Sequence, residues 1–268
     1  MKFSILNIII LLMFFSSCTN STKGRFQPEN FFTGRLLPLA QAIYDDDAKA
    51  VKEFINRNGI SVDTADAKHG YCLLLYAINA ESKSVVKMLL EMGANPNMLS
   101  ETKVYENNTD DYYIYKRYPL SNSTYKEDLF FAKILLKYGA DPNLGNPLYV
   151  ALVNAPEKST IKMFDLLLEN GANINALNHK GDTPLYTSIF ISRSDYANYF
   201  LDNGANVNII CRDGETAAYC LQDNINSLDG KFKEDYIKQM QPTIDRFKAR
   251  GITFPVEKPI AEEIVISD

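Results

Sequence analysis

The chain has 268 residues, of which 46% are hydrophobic and 23% charged; it can bury a sizeable core, and its composition argues against global disorder. Its formal net charge is −5 and no Lys/Arg-rich stripe occurs along it, which argues against nucleic acid or an anionic membrane surface as an electrostatic partner.

Residues 1–17 read as an address. Lys2 precedes an apolar stretch over residues 5–15, interrupted only by Asn7, and Ser16, Ser17 and Cys18 follow. That run falls short of the roughly 20 apolar residues a spanning helix needs. Phe15-Ser16-Ser17-Cys18 resembles the lipobox of a bacterial lipoprotein signal peptide, with Phe15 where Leu is usual. The resemblance implies cleavage before Cys18, acylation of its thiol and new amino group, and a lipid-anchored protein of the bacterial cell envelope. Thr19, rather than Asp, after Cys18 implies sorting to the outer membrane, facing the periplasm. An ordinary cleaved signal with a free Cys18 is the alternative. Removing residues 1–17 leaves 27 basic against 33 acidic side chains. Residues 18–30 then form a polar linker after the lipidated Cys, and its roughly 12 residues beyond Cys18 reach at most about 40 Å.

The body of the chain, residues 31–251, is written as a repeat. One pentapeptide recurs four times: Gly93-Ala94-Asn95-Pro96-Asn97, Gly139-Ala140-Asp141-Pro142-Asn143, Gly171-Ala172-Asn173-Ile174-Asn175 and Gly204-Ala205-Asn206-Val207-Asn208. Each copy follows an amphipathic run that closes on an apolar pair: Leu89-Leu90, Leu135-Leu136, Leu167-Leu168 and Phe200-Leu201. The Gly suits a helix end, where a left-handed residue satisfies orphan carbonyls without a Cβ penalty. Upstream, Gly181-Asp182-Thr183-Pro184-Leu185 puts Pro at a helix start, with weaker versions at Gly70-Tyr71-Cys72-Leu73-Leu74, Tyr118-Pro119-Leu120, Asn146-Pro147-Leu148 and Gly214-Glu215-Thr216-Ala217-Ala218. From Leu74 to Gly93, Leu120 to Gly139 and Leu185 to Gly204 the distance is 19 residues each time, room for two short helices and a tight turn. Stacked units of this size form a solenoid.

These phrases resemble ankyrin repeats, whose units open on Gly-x-Thr-Pro-Leu, close on Leu-Leu and lead through Gly-Ala-x-x-Asn into a β-finger. The resemblance implies an all-α solenoid of about six helix-turn-helix units with short β-fingers. Four units match over residues 67–210, and diverged caps cover 36–66 and 211–251, as expected of end units that face water on one side.

Three departures stand out. The 23 residues from Leu148 to Gly171 predict a longer turn around Ala155-Pro156-Glu157-Lys158, and almost no finger remains between Asn143 and Asn146. Residues 98–118, by contrast, make an oversized, Tyr-rich finger. Lys103-Val104-Tyr105-Glu106, the turn-prone Asn107-Asn108-Thr109-Asp110 and Asp111-Tyr112-Tyr113-Ile114-Tyr115-Lys116 read as a β-hairpin. Tyr is enriched at protein interfaces, so Tyr105, Asp110, Asp111, Tyr112, Tyr113, Tyr115 and Lys116 are the candidate partner-binding residues. The bland alternative has half of these rings folding back to stiffen the finger.

Other features have structural readings. Tyr149, Tyr186 and Tyr219 occupy the place where ankyrin repeats usually carry a loop-bridging His. Cys72, Cys211 and Cys220 match no zinc motif, and Cys72 and Cys220 are expected to be buried, inert thiols; a Cys211–Cys220 pair is left open. Asp45-Asp46-Asp47 reads as a turn and N-cap rather than a calcium site. The tail, residues 252–268, with Pro255 and Pro259, reads as an extended strap over the last helix pair or as disorder. His69 and His179 lie two units apart, and no phosphate loop, nucleophile elbow or His-x-x-x-His motif occurs. The chain is therefore expected to be neither an enzyme nor a cofactor protein, with no catalytic or metal residues and no small-molecule substrate.

Two function classes fit an anchored solenoid. The arrangement resembles ankyrin-containing immunity lipoproteins that protect bacteria from phospholipase effectors of type VI secretion, which implies a secreted phospholipase as protein partner. The alternative is a periplasmic scaffold or accessory protein for an endogenous enzyme.

Overall fold

Each Gly-Ala pentapeptide stops a helix in the same way, and that stop sets the architecture. In the computed structural model, which describes residues 26–66, 70–105 and 112–259 (backbone only at 102–105 and 112–113), the four pentapeptide glycines have φ between 85° and 92°. The following Ala N–H returns to the carbonyl five residues back: Ala94 to Leu89, Ala140 to Leu135 and Ala172 to Leu167 at 3.0 Å, Ala205 to Phe200 at 2.9 Å. The first member of each apolar pair thus supplies both the capping carbonyl and a fully buried side chain. The diverged end units close identically, Ile60 onto Ile55 and Ile252 onto Phe247 at 3.1 Å, so both belong to the repeat.

Among the described residues the helices fall into six pairs. They are α1 (Leu37–Tyr44) with α2 (Ala48–Asn58), α3 (Leu73–Asn79) with α4 (Lys83–Glu91), and α5 (Pro119–Ser123) with α6 (Phe130–Lys137). Then come α7 (Pro147–Asn154) with α8 (Glu157–Glu169), α9 (Pro184–Phe190) with α10 (Ser194–Asp202), and α11 (Ala217–Asn226) with α12 (Gly230–Ala249). The second helices are amphipathic: in α4, Val85, Val86, Leu89 and Leu90 are buried while Lys83, Lys87 and Glu91 face water. The first helices open on a side-chain cap where the sequence allows one. Thr183 Oγ1 accepts from Tyr186 N at 3.1 Å, Thr216 Oγ1 from Tyr219 N at 3.2 Å, Asn146 Oδ1 from Tyr149 N at 3.4 Å and Cys72 Sγ from Leu75 N at 3.4 Å. None of these helices is long and apolar enough to cross a membrane.

The structure corrects the predicted long turn. Only Ala155 and Pro156 separate α7 from α8; Glu157 and Lys158 already lie in α8, whose 13 residues exceed the 9 of α4 and α10. Pro156 ends the first helix, and the extra residues continue as helix because Ser159, Thr160 and Met163 find a buried face.

The Asp45-Asp46-Asp47 turn behaves as a double cap. Asp47 accepts from Ala50 N at 2.9 Å, and Asp46, at φ 57°, accepts from Val85 N at 3.0 Å and Ser84 N at 3.3 Å, capping α4 of the next unit. At the N-terminal end Phe26, the first described residue, already belongs to the packed body. Tyr76 donates to the Phe26 carbonyl at 2.8 Å, and Phe31 and Phe32 lie 5.7 and 5.0 Å from the Tyr76 ring. At the other end, residues 252–259 are non-helical and lie over the last pair, with Phe254 6.3 Å from Phe247 and Lys258 3.5 Å from Glu215. Residues 260–268 lie outside the described residues.

Cys72, Cys211 and Cys220 are all buried free thiols, so the open Cys211–Cys220 pairing is not made. Burial pushes the Cys220 thiol up to about 12 and also raises Cys72 and Cys211. Below the ordinary thiol value both states are protonated, so these groups leave stability unchanged. Above it the unfolded thiols ionise while the folded ones do not. Stability is therefore expected to fall between pH 9 and about 12, read as a declining melting midpoint, with the three thiols resisting alkylation at pH 8 until denaturant is added.

Candidate protein interface

The oversized finger is a hairpin of β1 (Ser100–Tyr105) and β2 (Tyr112–Arg117), antiparallel, with Ser100 opposite Arg117, Thr102 opposite Tyr115 and Tyr105 opposite Tyr112. The predicted hairpin therefore forms, with β1 starting three residues before Lys103. Strand alternation assigns positions 113, 115 and 117 to one face and 112, 114 and 116 to the other, so the candidate tyrosines divide between the two.

Its root is clamped on both sides by close backbone approach. A Cβ on Gly70 would lie 1.7 Å from the Glu101 carbonyl oxygen, and one on Gly145 would lie 2.4 Å from the Tyr118 ring. Only glycine fits either place. Ser100 is fully buried and its Oγ accepts from Cys72 N at 3.1 Å. Arg117 lies over the Tyr71 ring at 5.1 Å and the Tyr115 ring at 4.2 Å, a cation–π stack that fixes the base of β2.

Beyond the root the described side chains of β2 are exposed. Ile114 is 48% exposed and Tyr115 42%, while Lys116 is exposed and pairs with Glu101 at 3.7 Å. Tyr125, from the turn between α5 and α6, is also 42% exposed, and burial together with the neighbouring Tyr115 pushes its hydroxyl up to about 12. Tyr115, Tyr125 and Val150 border a recess of about 60 Å³ at the foot of β2. The arrangement offers aromatic and aliphatic surface flanked by charge, suited to contact with a protein. Tyr105, Tyr112 and Tyr113 are placed here by backbone alone; Cys18, His69, Asp110 and Asp111 lie outside the described residues.

An asparagine ladder, unread in the sequence, ties the fingers together. The last Asn of each of the first three pentapeptides reaches the next pentapeptide. Asn97 Oδ1 accepts from Asp141 N at 2.8 Å while its Nδ2 donates to the Gly139 carbonyl at 3.0 Å. Asn143 does the same with Asn173 N at 2.7 Å and the Gly171 carbonyl at 3.1 Å, and Asn175 Oδ1 accepts from Asn206 N at 2.9 Å. In the first unit Asp63 substitutes, accepting from Asn95 N at 2.8 Å. The Asn97–Asp141 rung joins the pentapeptides on either side of the insertion in sequence, so the insertion leaves the stack in register. Asn143→Ala removes two bonds at once and is expected to cost about 1–3 kcal/mol in urea unfolding, with the transition broadening around the middle units.

Two of the three repeated tyrosines, Tyr149 and Tyr186, bridge to the next unit as expected, while Tyr219, in the last unit, has Lys258 5.8 Å from its ring centre instead. Tyr186 is buried and its hydroxyl meets Glu215 of the next unit at 3.0 Å; Tyr149 lies edge-on to His179 at 6.0 Å. Beneath them Asp182, fully buried, is held by Arg212. Among the described residues no cluster of His, Cys, Asp or Glu could hold a metal.

Comparison with known proteins agrees with this geometry. The family model for a single ankyrin repeat matches residues 69–101, and that for multiple ankyrin repeats matches 148–201. The ankyrin repeat domain of Bcl-3, a member of the IκB family, has a TM-score of 0.62 at 20% identity, covering 82% of this chain and 89% of that one. The fold is an ankyrin-repeat solenoid.

An ankyrin repeat domain from Acinetobacter baumannii is similarly close, with a TM-score of 0.57 and 23% identity over 78% of this chain and 97% of that one. The human ASB11 ankyrin repeat domain also has a TM-score of 0.57, with 21% identity over 82% and 86%. In sequence, an ankyrin repeat protein of Rickettsia bellii is 35% identical over 136 residues, 49% of this chain and 35% of the relative. One of fowlpox virus is 30% identical over 146 residues, 54% of this chain and 19% of the relative. The chain thus spans about a fifth to a third of the curated relatives it matches. Ankyrin repeats mediate protein–protein contact and are typically non-enzymatic; the solenoid described here is a protein-binding architecture.

Proposed function

We propose that this chain is a lipid-anchored ankyrin protein that captures and neutralises a secreted phospholipase in the periplasm. The observation that carries the binding half of this reading is the hairpin: the Asn97–Asp141 rung joins the units on either side of it in sequence, so the stack closes without its surplus residues, while Ile114, Tyr115 and Tyr125 stay open to solvent. The anchoring half rests on Phe15-Ser16-Ser17-Cys18. With Phe26 held in the packed body, residues 19–25 can span at most about 25 Å, which confines capture to the membrane surface where a phospholipase works. The resemblance to immunity lipoproteins of type VI secretion supplies the identity of the partner. Binding is the whole activity: the finger and concave face block substrate entry or access to the bilayer.

The test is competition. A strain lacking the protein is expected to be killed by effector-delivering siblings, and the purified mature protein to suppress the effector's lipid hydrolysis at equimolar ratio. Normal survival with loss of an endogenous enzyme activity overturns this reading in favour of a scaffold. Because the chain is acidic, binding is expected to weaken as salt is added; strengthening contradicts a basic partner patch.

A further inference from the structure

Residues 26–31 precede the first helix pair, yet they bear on three units at once. Gln27 Nε2 donates to the Tyr44 hydroxyl, at the end of α1, at 3.1 Å, and the Phe26 carbonyl accepts from Tyr76 of α3 at 2.8 Å. Lys126, in the turn between α5 and α6, has its Nζ 5.8 Å from the Phe26 ring centre. The first unit already closes like the others, with Ile60 N on the Ile55 carbonyl, so these contacts are additional to the repeat.

Two runs of contacts lead from this segment to the finger. On one, Phe26 stacks on Phe31 at 5.5 Å, Phe31 lies edge-on to Tyr71 at 4.7 Å, and Tyr71 lies under the Arg117 guanidinium that also stacks on Tyr115. On the other, Lys126 directly follows Tyr125, which shares the recess at the foot of β2 with Tyr115. The Lys126 side chain is only 10% exposed, and its Nζ donates to the Asn79 carbonyl at 3.2 Å and to Glu81 at 3.0 Å. It is a fixed strut, and a cation held over an aromatic face is attracted more strongly where water is kept away. The two runs meet at Phe26 and at Tyr115, so they close a ring. Each member is held from both sides, and opening the ring at one place loosens the finger's foot.

We propose that Phe26 and Lys126 are positioning residues for the finger: they close this ring from the N-terminal side and hold Tyr115 and the foot of β2 in the pose offered to a partner. The functional meaning rests on the finger as the binding surface, whereas the coupling itself needs neither partner nor membrane. By linkage, docking of residues 26–31 and ordering of the finger favour each other, so displacing the segment loosens the finger.

Hydrogen exchange on the full chain, read by mass spectrometry, tests the coupling without partner or lipid. Phe26→Leu keeps apolar bulk and removes the aromatic face. The amides of β1 and β2 are expected to exchange roughly tenfold faster, while those of α9 to α12 keep their protection. Phe26→Tyr restores the ring face and should restore the protection. Lys126→Met should loosen the hairpin likewise, and adding Tyr125→Ala to Phe26→Leu should give little further acceleration, because both changes open the same ring. Full hairpin protection in Phe26→Leu and Lys126→Met, an equal loss along all six units, or no recovery in Phe26→Tyr overturns the proposal. Each of those results leaves the phospholipase reading standing, and an absence of killing in competition leaves the coupling standing.

Discussion

Replacing Tyr112, Tyr113 and Tyr115 together by Ser is expected to weaken partner binding at least about a thousandfold, since interface tyrosines removed from the centre of a contact each cost roughly 2 kcal/mol or more. The melting midpoint should move by no more than about 3 °C. The separation follows from how the hairpin is held. Its root depends on the approach of Glu101 to Gly70, the buried Ser100 hydroxyl on Cys72 N, and Arg117 over Tyr71. Tyr115 adds only a stacking surface for Arg117 and remains 42% exposed. Tyr76 is the contrasting control. It is fully buried among Phe31 and Phe32 and donates to the Phe26 carbonyl, so Tyr76→Ser should destabilise the fold and leave the hairpin's surface chemistry alone.

Phe164→Ala carries the largest expected loss of stability, about 3–5 kcal/mol. Its side chain is fully buried in α8 and packs against three rings of α10: Tyr196 at 5.4 Å, Tyr199 at 5.4 Å and Phe200 at 5.0 Å. These rings join the fourth and fifth units. Net stabilities of single domains run only to roughly 5–15 kcal/mol, so this deletion consumes much of the total. In a stacked array the damage should also be local. Hydrogen exchange is expected to show α9 to α12 opening at lower denaturant than α1 to α4, whereas a uniform change along the chain, or a loss below about 1 kcal/mol, contradicts the assigned coupling.

Much of this fold was legible because its signals are local. A Gly-Ala pentapeptide after an apolar pair needs only the neighbouring turn to explain it, and all four copies close as the residues imply, Ala94 onto Leu89 and Ala205 onto Phe200 among them. The Thr-Pro-Leu opening is equally local, since Thr183 caps the helix it precedes. The hairpin was readable from its β-prone tyrosines. What escaped notice depends on contacts between distant residues. The Asn97, Asn143 and Asn175 rungs span 28 to 44 residues, although the constancy of Asn at the fifth position was a visible clue. Tyr125 joins the recess beside Tyr115 only through folding, and no spacing rule links the two. The extra residues after Leu148 could extend a turn or a helix, and burial of Met163 and Phe164 decided for the helix. Likewise Phe26, in a polar linker by composition, is drawn into the body by the Tyr76 hydroxyl and by stacking on Phe31 at 5.5 Å.

The central claim is that the inserted hairpin is the surface that captures a protein at the membrane. Site-specific photo-cross-linking in living cells tests it directly, with the probe at Ile114, 48% exposed on β2, and a comparison probe at Leu177, 54% exposed on a finger without an insertion. The expected result is one predominant protein adduct from position 114, lost in the triple Tyr→Ser chain, and little or none from position 177. Equal adducts from both positions, or an adduct from 177 alone, contradict the claim.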